Sequence, residues 1–243
     1  MPFLNQPVTA HDGNQYLLYD KSVSGQLTGE WFDAEFWEKN AEVQSTGLGR
    51  GSAWFILTPQ EHYVLRHYRR GGWVSRISTD RYIWTGLQNT RAWREWKLLA
   101  RLYIYKLPAP VPVAARVHRL GLLYTADLLT IKLQAATSLS ACLAKQELPG
   151  EVWSEIGKTI YRFHQHQIFH ADLNAHNILV NESGQVSLID FDKGYVRTGT
   201  RWYADNLQRL NRSLKKLGSQ KDEFHFSEEA WQKLSKGYQE SMT

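Results

Sequence analysis

Three polar residues follow one another along the chain at spacings that suit phosphoryl transfer. Asp172 lies in the stretch His170–Asn177, Asn177 follows it five residues later, and Asp190 comes thirteen residues after that. Phosphoryl transfer needs a base for the proton of the acceptor hydroxyl and oxygen ligands for divalent metal ions. We therefore predict that Asp172 is the catalytic base and that Asn177 and Asp190 bind magnesium.

The elements around these residues are expected to hold them at the ends of regular structure. The apolar periodicity of Glu151–His166 predicts a helix before Asp172, and the β-branched run 178–180 predicts a strand after it. Asp172 would then lie in a loop, and Asp190 would project from the end of a later strand. We expect His170 to support the loop by hydrogen bonding. An Asp-Leu-Asn alone is typical of a capping turn, but Asn177 and Asp190 at these offsets favour a catalytic loop.

A glycine-rich segment precedes the first strand of a predicted hairpin, Trp54–Leu57 and His62–His67. Glycines let backbone amides approach phosphate oxygens closely. The alternative for such a short string is a plain turn. The position of the glycine-rich segment, ahead of Asp172 in the chain, favours a loop that covers the phosphates of ATP. Its residues are Gly47, Gly49, Gly51 and Ser52.

A cation on the strand His62–His67 is expected to pair with a carboxylate on a helix. Arg66 is the candidate cation, and Glu95 lies on the inner face of a predicted helix, Thr90–Tyr105. Arginine binds phosphate, often through two hydrogen bonds, although its planar group differs from a lysine ammonium. Arg66 and Glu95 are therefore candidate nucleotide-binding residues, with a purely structural ion pair as the alternative.

The composition is that of a folded protein of a reducing compartment. The chain has 243 residues, 42% of them apolar, and its one cysteine excludes an internal disulfide. We find no apolar stretch of signal-peptide or membrane-spanning type, which predicts a cytoplasmic protein. The net charge of +5 is concentrated in two segments, around Arg66–Arg81 and Arg209–Lys216. Such segments attract polyanions or form a solvated face.

The order of the predicted elements indicates an α+β fold with two lobes. Strands dominate the first half, which carries one main helix, and helices dominate the second half. A second hairpin, Val113–Arg119 and Leu122–Leu129, and a single helix over Thr28–Asn40 are also expected in the first half. We predict an N-lobe over residues 1–131 and a C-lobe over 132–243, with a linker within Thr130–Thr137.

The motifs resemble those of the protein-kinase-like superfamily and, more narrowly, of the bacterial lipopolysaccharide kinases that act on 3-deoxy-D-manno-octulosonic acid (Kdo). The resemblance covers most of the chain from about residue 30 onward and rests on Gly47–Ser52, Val64–Gly72, Arg94–Trp96, His170–Asn177 and Leu188–Lys193. It implies a bilobal kinase-like fold with ATP and Mg²⁺ as cofactors. It also implies transfer of the γ-phosphate to the 4-hydroxyl of Kdo on a lipid A precursor, at the cytoplasmic side of the inner membrane.

Within this resemblance, several residues favour an acceptor that is not a protein. Ala171 stands where protein kinases have a regulatory arginine, Asp192 replaces a glycine, and Asn174 replaces the catalytic-loop lysine. The run that begins with Arg69 and Arg70 is typical of the Kdo-specific members. We predict that these two arginines bind the Kdo-lipid A precursor beside the membrane surface. We expect neither a nucleic acid nor a stable protein partner.

Two other readings remain open at this point. A small-molecule kinase of the aminoglycoside or choline type shares the His-x-Asp loop, but it generally has an acidic acceptor site for cationic substrates. A non-catalytic nucleotide-binding module, or a nucleic-acid-binding protein, is the alternative from another class. The basic residues of the first half disagree with a small-molecule kinase for cationic substrates. The joint presence of Asp172, Asn177 and Asp190 disagrees with a non-catalytic module.

Overall fold

The chain divides into two compact units in a computed structural model, which describes residues 7–21, 27–45, 53–69, 80–220 and 223–242. Unit 1 comprises Met1–Ile104 and Pro110–Lys132, and unit 2 comprises Tyr105–Ala109 and Leu133–Thr243. The predicted division at residue 131 assigns Tyr105–Ala109 to the first half. In the structure this segment joins unit 2 because the Leu188 amide donates to the Pro108 carbonyl at 2.9 Å.

Unit 1 contains an antiparallel sheet of eight described strands. Its main path runs β1-β2-β7-β8-β5-β4-β3, and β6 pairs with β8. Both predicted hairpins are confirmed: β4 pairs with β5, and β7 pairs with β8 around Gly121, whose φ of 64° suits a tight turn. The strands are β1 (Pro7–Asp12), β2 (Gln15–Asp20), β3 (Glu42–Ser45), β4 (Ala53–Leu57), β5 (His62–His67), β6 (Tyr82–Ile83), β7 (Pro112–Leu120) and β8 (Leu123–Ile131).

The helices of unit 1 differ from the prediction in one place. The single helix expected over Thr28–Asn40 is wrong: a 3-10 helix, Gly29–Phe32, ends before α1 (Ala34–Asn40). Asp33 breaks the run with extended backbone, and its carboxylate accepts a hydrogen bond from Arg116 at 2.8 Å. The predicted helix α2 (Arg91–Ile104) is confirmed, and its buried face packs on β7 and β8.

Unit 2 is built mainly from helices. They are α3 (Leu139–Leu143), α4 (Gly150–Gln165), α5 (Tyr203–Gln220) and α6 (Glu228–Glu240). Its strands β9 (Ala136–Ser138), β11 (Ile178–Asn181) and β12 (Val186–Leu188) form a three-stranded sheet, and β10 (Ile168–Phe169) pairs with β13 (Tyr195–Val196). None of the helices in the described ranges has both the length and the apolar character needed to cross a bilayer.

Two glycines allow α4 and α6 to pack with their backbones in contact. A Cβ added at Gly157 would lie 2.1 Å from the Leu234 carbonyl oxygen, and one at Gly237 would lie 2.4 Å from the Ser154 carbonyl oxygen. Real side chains do not reach such distances, so neither position has room for a larger residue. The close packing holds α4 against α6, and α4 ends at Gln165, before β10 and the loop that begins at His170.

Candidate active site

His170 fixes the start of the loop that carries Asp172. Its Nε2 lies 2.8 Å from the Ile189 carbonyl oxygen, and its Nδ1 accepts a hydrogen bond of 3.2 Å from the Asp172 amide. A carbonyl only accepts, so Nε2 carries the proton and the ring is neutral. Burial lowers the pKa of His170, in agreement with the neutral form. The predicted supporting role of His170 is confirmed.

Two asparagines close the loop on the backbone of Asp172. The side-chain amides of Asn174 and Asn177 each donate to the Asp172 carbonyl at 2.9 Å. The Asn174 carbonyl oxygen accepts from the backbone amides of His176 and Asn177 at 2.8 and 3.2 Å. These bonds hold the peptide of Asp172 while its side chain points outward, about half exposed.

Asn177 and Asp190 lie at the same end of the β11–β12 hairpin. Ile178 pairs with Leu188, and one step beyond, the Ile189 amide donates to the Asn177 carbonyl at 3.0 Å. Asn177 uses its side-chain nitrogen to hold the loop, which leaves the side-chain oxygen as the atom suited to a metal. The predicted metal ligands therefore lie next to each other in the sheet register, one just before β11 and the other just after β12.

Asp190 adopts a left-handed backbone conformation, with a φ of 64°. Aspartate tolerates this region better than most residues. Both backbone groups of Ile189 are hydrogen-bonded, and the Phe191 ring packs 5.6 Å from Phe163 and 4.7 Å from His170, measured between ring centroids. Because its neighbours are fixed on both sides, the turn at Asp190 is set by the surrounding core.

Asp172 forms an ion pair with Arg209 of α5. Burial works against ionisation of this carboxyl, but the hydrogen bond and charge of Arg209 outweigh it and lower the pKa of Asp172. The carboxylate is thus kept ionised, which is the form that accepts a hydroxyl proton.

A buried polar network connects the helices of unit 2 to the loop. His164 contacts the Tyr238 hydroxyl at 2.7 Å and the Asn206 side-chain oxygen at 3.1 Å, and the Asn206 amide donates to the His170 carbonyl at 2.9 Å. Burial lowers the pKa of His164 to about 4, so its ring is neutral at pH 7. The network ties α4, α5 and α6 to one backbone group of the catalytic loop.

In unit 1, Arg66 and Glu95 form the ion pair that the sequence predicts. Tyr68 adds to it: its hydroxyl donates to Glu95 at 2.6 Å and accepts from Arg66 at 3.1 Å. Burial and the neighbouring Glu95 charge raise the pKa of Tyr68 well above its usual range, so the hydroxyl stays protonated. The guanidinium of Arg66 is thus held by a buried carboxylate and an aromatic ring.

The remaining predicted residues are distributed as follows. Gly47, Gly49, Gly51, Ser52 and Arg70 lie outside the described residues. Arg69 is exposed and lines a cavity of about 500 Å³ in unit 1, together with His67, Arg116 and Asp127.

The side-chain oxygens of Asn177 and Asp190 have the chemistry that magnesium requires. No group of three or more His, Cys, Asp or Glu side chains within the described ranges could hold a metal ion. Magnesium in phosphotransferases takes one or two protein carboxylates, and phosphate and water oxygens complete its shell. One carboxylate from Asp190 and one amide oxygen from Asn177 fit that requirement.

The sequence comparisons identify the family. The sequence model described as the lipopolysaccharide kinase (Kdo/WaaP) family matches residues 34–238. The chain belongs to this family. The predicted resemblance and the predicted class of enzyme, a phosphotransferase, are therefore confirmed.

Curated relatives that match this chain over most of their length agree with this assignment. The 3-deoxy-D-manno-octulosonic acid kinase of Photobacterium profundum is 42% identical over 226 residues, which is 93% of this chain and 95% of that protein. The enzyme of the same name from Haemophilus influenzae (strain 86-028NP) is 42% identical over 233 residues, 93% of this chain and 96% of the other. The enzyme of the same name from Actinobacillus succinogenes is 44% identical over 231 residues, which is 92% of this chain and 96% of that protein.

Three residues that contact the predicted site residues of unit 1 or unit 2 were not predicted in these roles from the sequence. Arg209 pairs with the proposed base, Tyr68 holds the Arg66–Glu95 pair, and Asn206 supports the loop. Tyr68 was the most accessible to prediction, since it comes two residues after Arg66, directly after the end of β5. Arg209 and Asn206 lie 37 and 36 residues along the chain from Asp172 and His170, the loop residues that they contact.

Proposed function

We propose that this chain transfers the γ-phosphate of ATP to the 4-hydroxyl of Kdo on a Kdo-lipid A precursor. The proposal rests mainly on the hydrogen bonds of unit 2. They hold the loop that carries Asp172, whose side chain points outward, and they place Asn177 and Asp190 at the same end of the paired strands β11 and β12. Family membership and relatives named as Kdo kinases support the acceptor.

Asp172 acts on the acceptor hydroxyl. Its carboxylate accepts the hydroxyl proton while the hydroxyl oxygen bonds to the γ-phosphorus and the bond from that phosphorus to the β-phosphate oxygen breaks, leaving ADP. Asn177 and Asp190 would hold magnesium, which neutralises phosphate charge when it is bound. Most of the rate then comes from alignment, which the His170, Asn174 and Asn177 hydrogen bonds provide.

The nucleotide is assigned to unit 1 residues. Arg66 contacts phosphate oxygens while Glu95 orients it, and Gly47, Gly49, Gly51 and Ser52 form the covering loop. In this proposal the fold is the bilobal kinase-like one. Residues 1–131 form the nucleotide-covering N-lobe, and residues 132–243 form the C-lobe with the catalytic loop.

The acceptor is a phosphorylated lipid, and we assign its head group to Arg69 and Arg70 at the cytoplasmic surface of the inner membrane. Arginine recognises phosphate oxygens through paired hydrogen bonds. The Arg69→Ala/Arg70→Ala double variant is expected to raise KM for the lipid acceptor while KM for ATP is unchanged. Lys236→Ala, a change to an exposed cation of α6, is the control. An unchanged acceptor KM in the double variant would contradict this assignment.

The function is tested by incubation of the chain with ATP, Mg²⁺ and Kdo-lipid A precursor, followed by mass analysis. We expect the acceptor to gain one phosphate and to remain unmodified without ATP. Aminoglycosides and choline serve as cationic acceptors in parallel reactions. Phosphorylation of these compounds with none of the Kdo-lipid would instead support a small-molecule kinase of the aminoglycoside or choline type.

A further inference from the structure

A cavity beside Asp172 is lined by three cations of α5. It has a volume of about 430 Å³ and is open to solvent. Arg209, Arg212 and Lys216 project into it from the helix, and His176 and Asn174 line it from the catalytic loop. We call this cavity the α5 pocket. It lies entirely within unit 2.

The spacing of the three cations places them on one side of α5. Positions 209, 212 and 216 are three and four residues apart and therefore share a helix face. The opposite face is buried through Asn206, Leu210 and Leu214, which anchors the helix in the core of unit 2. The pocket is thus part of a fixed surface.

Lys215 and the pocket cations are all exposed on α5, but they differ in their contacts. It does not line the pocket, and its ammonium lies 3.5 Å from the Glu228 carboxylate of α6. Arg212 and Lys216, by contrast, have no ion-pair partner in the part of the chain that the structure describes. Neighbouring residues on one helix therefore differ in whether their charge is compensated.

The pocket has an excess of positive charge. Asp172 is its one carboxylate among the described residues, and Arg209 already contacts it. That contact uses the Nη2 atom of Arg209, and a guanidinium has further donors in the same plane. An anion in the pocket would therefore meet Arg212 and Lys216 directly and would be linked through Arg209 to the proposed base.

We propose that the α5 pocket binds the carboxylate of the acceptor sugar acid. Arg212 and Lys216 are its ligands, and Arg209 positions Asp172 relative to it. The inference rests on the proposed function, because the Kdo acceptor is a sugar acid whose carboxylate is ionised at pH 7. Binding this group beside Asp172 places a ring hydroxyl of the same small molecule within reach of the base.

The test compares acceptor KM across matched variants and acceptors. Arg212→Gln and Lys216→Gln remove pocket charges, and Lys215→Gln removes a charge from the same helix outside the pocket. We expect KM for the Kdo-lipid acceptor to rise about tenfold in each pocket variant, the low end for hydrogen bonds to charged groups at a solvated site. KM for ATP and the melting temperature should stay at wild-type values, and Lys215→Gln should behave as wild type.

A methyl-ester acceptor, in which the carboxylate is blocked, gives the second arm. Because the ester loses the contacts with both Arg212 and Lys216, the wild-type enzyme should use it with a KM at least about tenfold higher, and the pocket variants should show no further loss with it. A rise in KM for ATP instead of the acceptor would mean that the pocket binds nucleotide phosphate, and it would overturn the inference. The inference would also be overturned if the pocket variants left the acceptor KM unchanged. The same holds if Lys215→Gln raised the acceptor KM as much as the pocket variants do.

Binding of free Kdo to the wild-type chain, measured by NMR titration, separates this inference from the proposed function. Carboxylate-dependent binding that Arg212→Gln weakens about tenfold, without turnover of Kdo-lipid, would support the pocket and overturn the proposed reaction. Turnover of Kdo-lipid with the KM unchanged by Arg212→Gln and Lys216→Gln would support the reaction and overturn the pocket.

Discussion

The two units each contain an arginine–carboxylate pair, and the pairs differ in burial. In unit 1, Glu95 is 3% exposed and Arg66 26%, and the Tyr68 ring lies 4.7 Å from the Arg66 guanidinium. In unit 2, Asp172 and Arg209 are 49% and 46% exposed. A buried pair is held in one geometry and is costly to break, whereas an exposed pair contributes little to stability. The comparison suggests a fixed cation in unit 1 and a pair open to ligands in unit 2.

The largest effect on stability is expected from Glu95→Ala. The change leaves the Arg66 charge and the Tyr68 hydroxyl without their buried acceptor, and we expect a loss of about 3 kcal/mol in the free energy of unfolding. Arg209→Ala should cost less than about 1 kcal/mol. Urea unfolding of the two variants measures both values. Equal losses would remove the distinction between the pairs.

The second expected effect is a loss of stability at acidic pH through His164. Its pKa is lowered by burial to about 4, so below the unfolded-state pKa of about 6.5 only the unfolded chain gains a proton there. Stability is therefore retained above about pH 6.5 and decreases as the pH falls to about 4. The loss should reach about 2 to 3 kcal/mol.

Urea midpoints between pH 7.5 and 4.5 measure this loss in the wild type and in His164→Gln. The variant should lose less stability on acidification, although His170, whose pKa is also lowered by burial, keeps part of the effect. An identical pH dependence in both proteins would contradict a neutral, buried His164.

The third effect concerns the role of Arg66. If it contacts nucleotide phosphate, Arg66→Ala should raise KM for ATP about tenfold or more, because a hydrogen bond to a charged group is lost. Arg66→Lys keeps the charge and should recover part of the affinity. Steady-state kinetics with varied ATP measures both variants. A purely structural pair would lower stability in Arg66→Ala and leave KM for ATP unchanged.

The smallest effect is expected at His67, where the pH dependence has the opposite direction to that of His164. Its Nδ1 lies 2.6 Å from Asp127, and this hydrogen bond raises the pKa of His67. Stability from the charged form is fully present below about pH 6.5 and is lost as the pH rises through the higher folded-state pKa. His67→Gln should therefore destabilise more at pH 5.5 than at pH 8.5, by less than about 1 kcal/mol. Thermal unfolding at the two pH values checks the sign.

The sequence predicts the parts of this molecule that depend on local pattern. The two hairpins and helix α2 follow from alternation and helical spacing, and Asp172, Asn177 and Asp190 follow from fixed offsets within one stretch. The break at Asp33 was not predictable in this way, because it depends on Arg116 in a distant strand. Arg209 was missed for the same reason, since its contact with Asp172 spans 37 residues and has no local signature.

The placement of Tyr105–Ala109 in unit 2 also depends on tertiary contacts. The predicted end of the helix at Tyr105 agrees with α2, but the assignment of the segment depends on hydrogen bonds that its carbonyl groups accept from the Leu188 amide and the Arg162 guanidinium. Local pattern therefore finds elements and candidate catalytic residues, and long-range hydrogen bonds decide which unit a connecting segment joins.

The rate of a single turnover of Asp172→Asn decides whether Asp172 is the base of a phosphotransferase. With ATP, Mg²⁺ and Kdo-lipid A precursor, we expect the rate to fall by about 10²- to 10⁴-fold, while ATP affinity and melting temperature stay close to wild type. If the variant transferred phosphate at the wild-type rate, Asp172 would not be the group that accepts the hydroxyl proton.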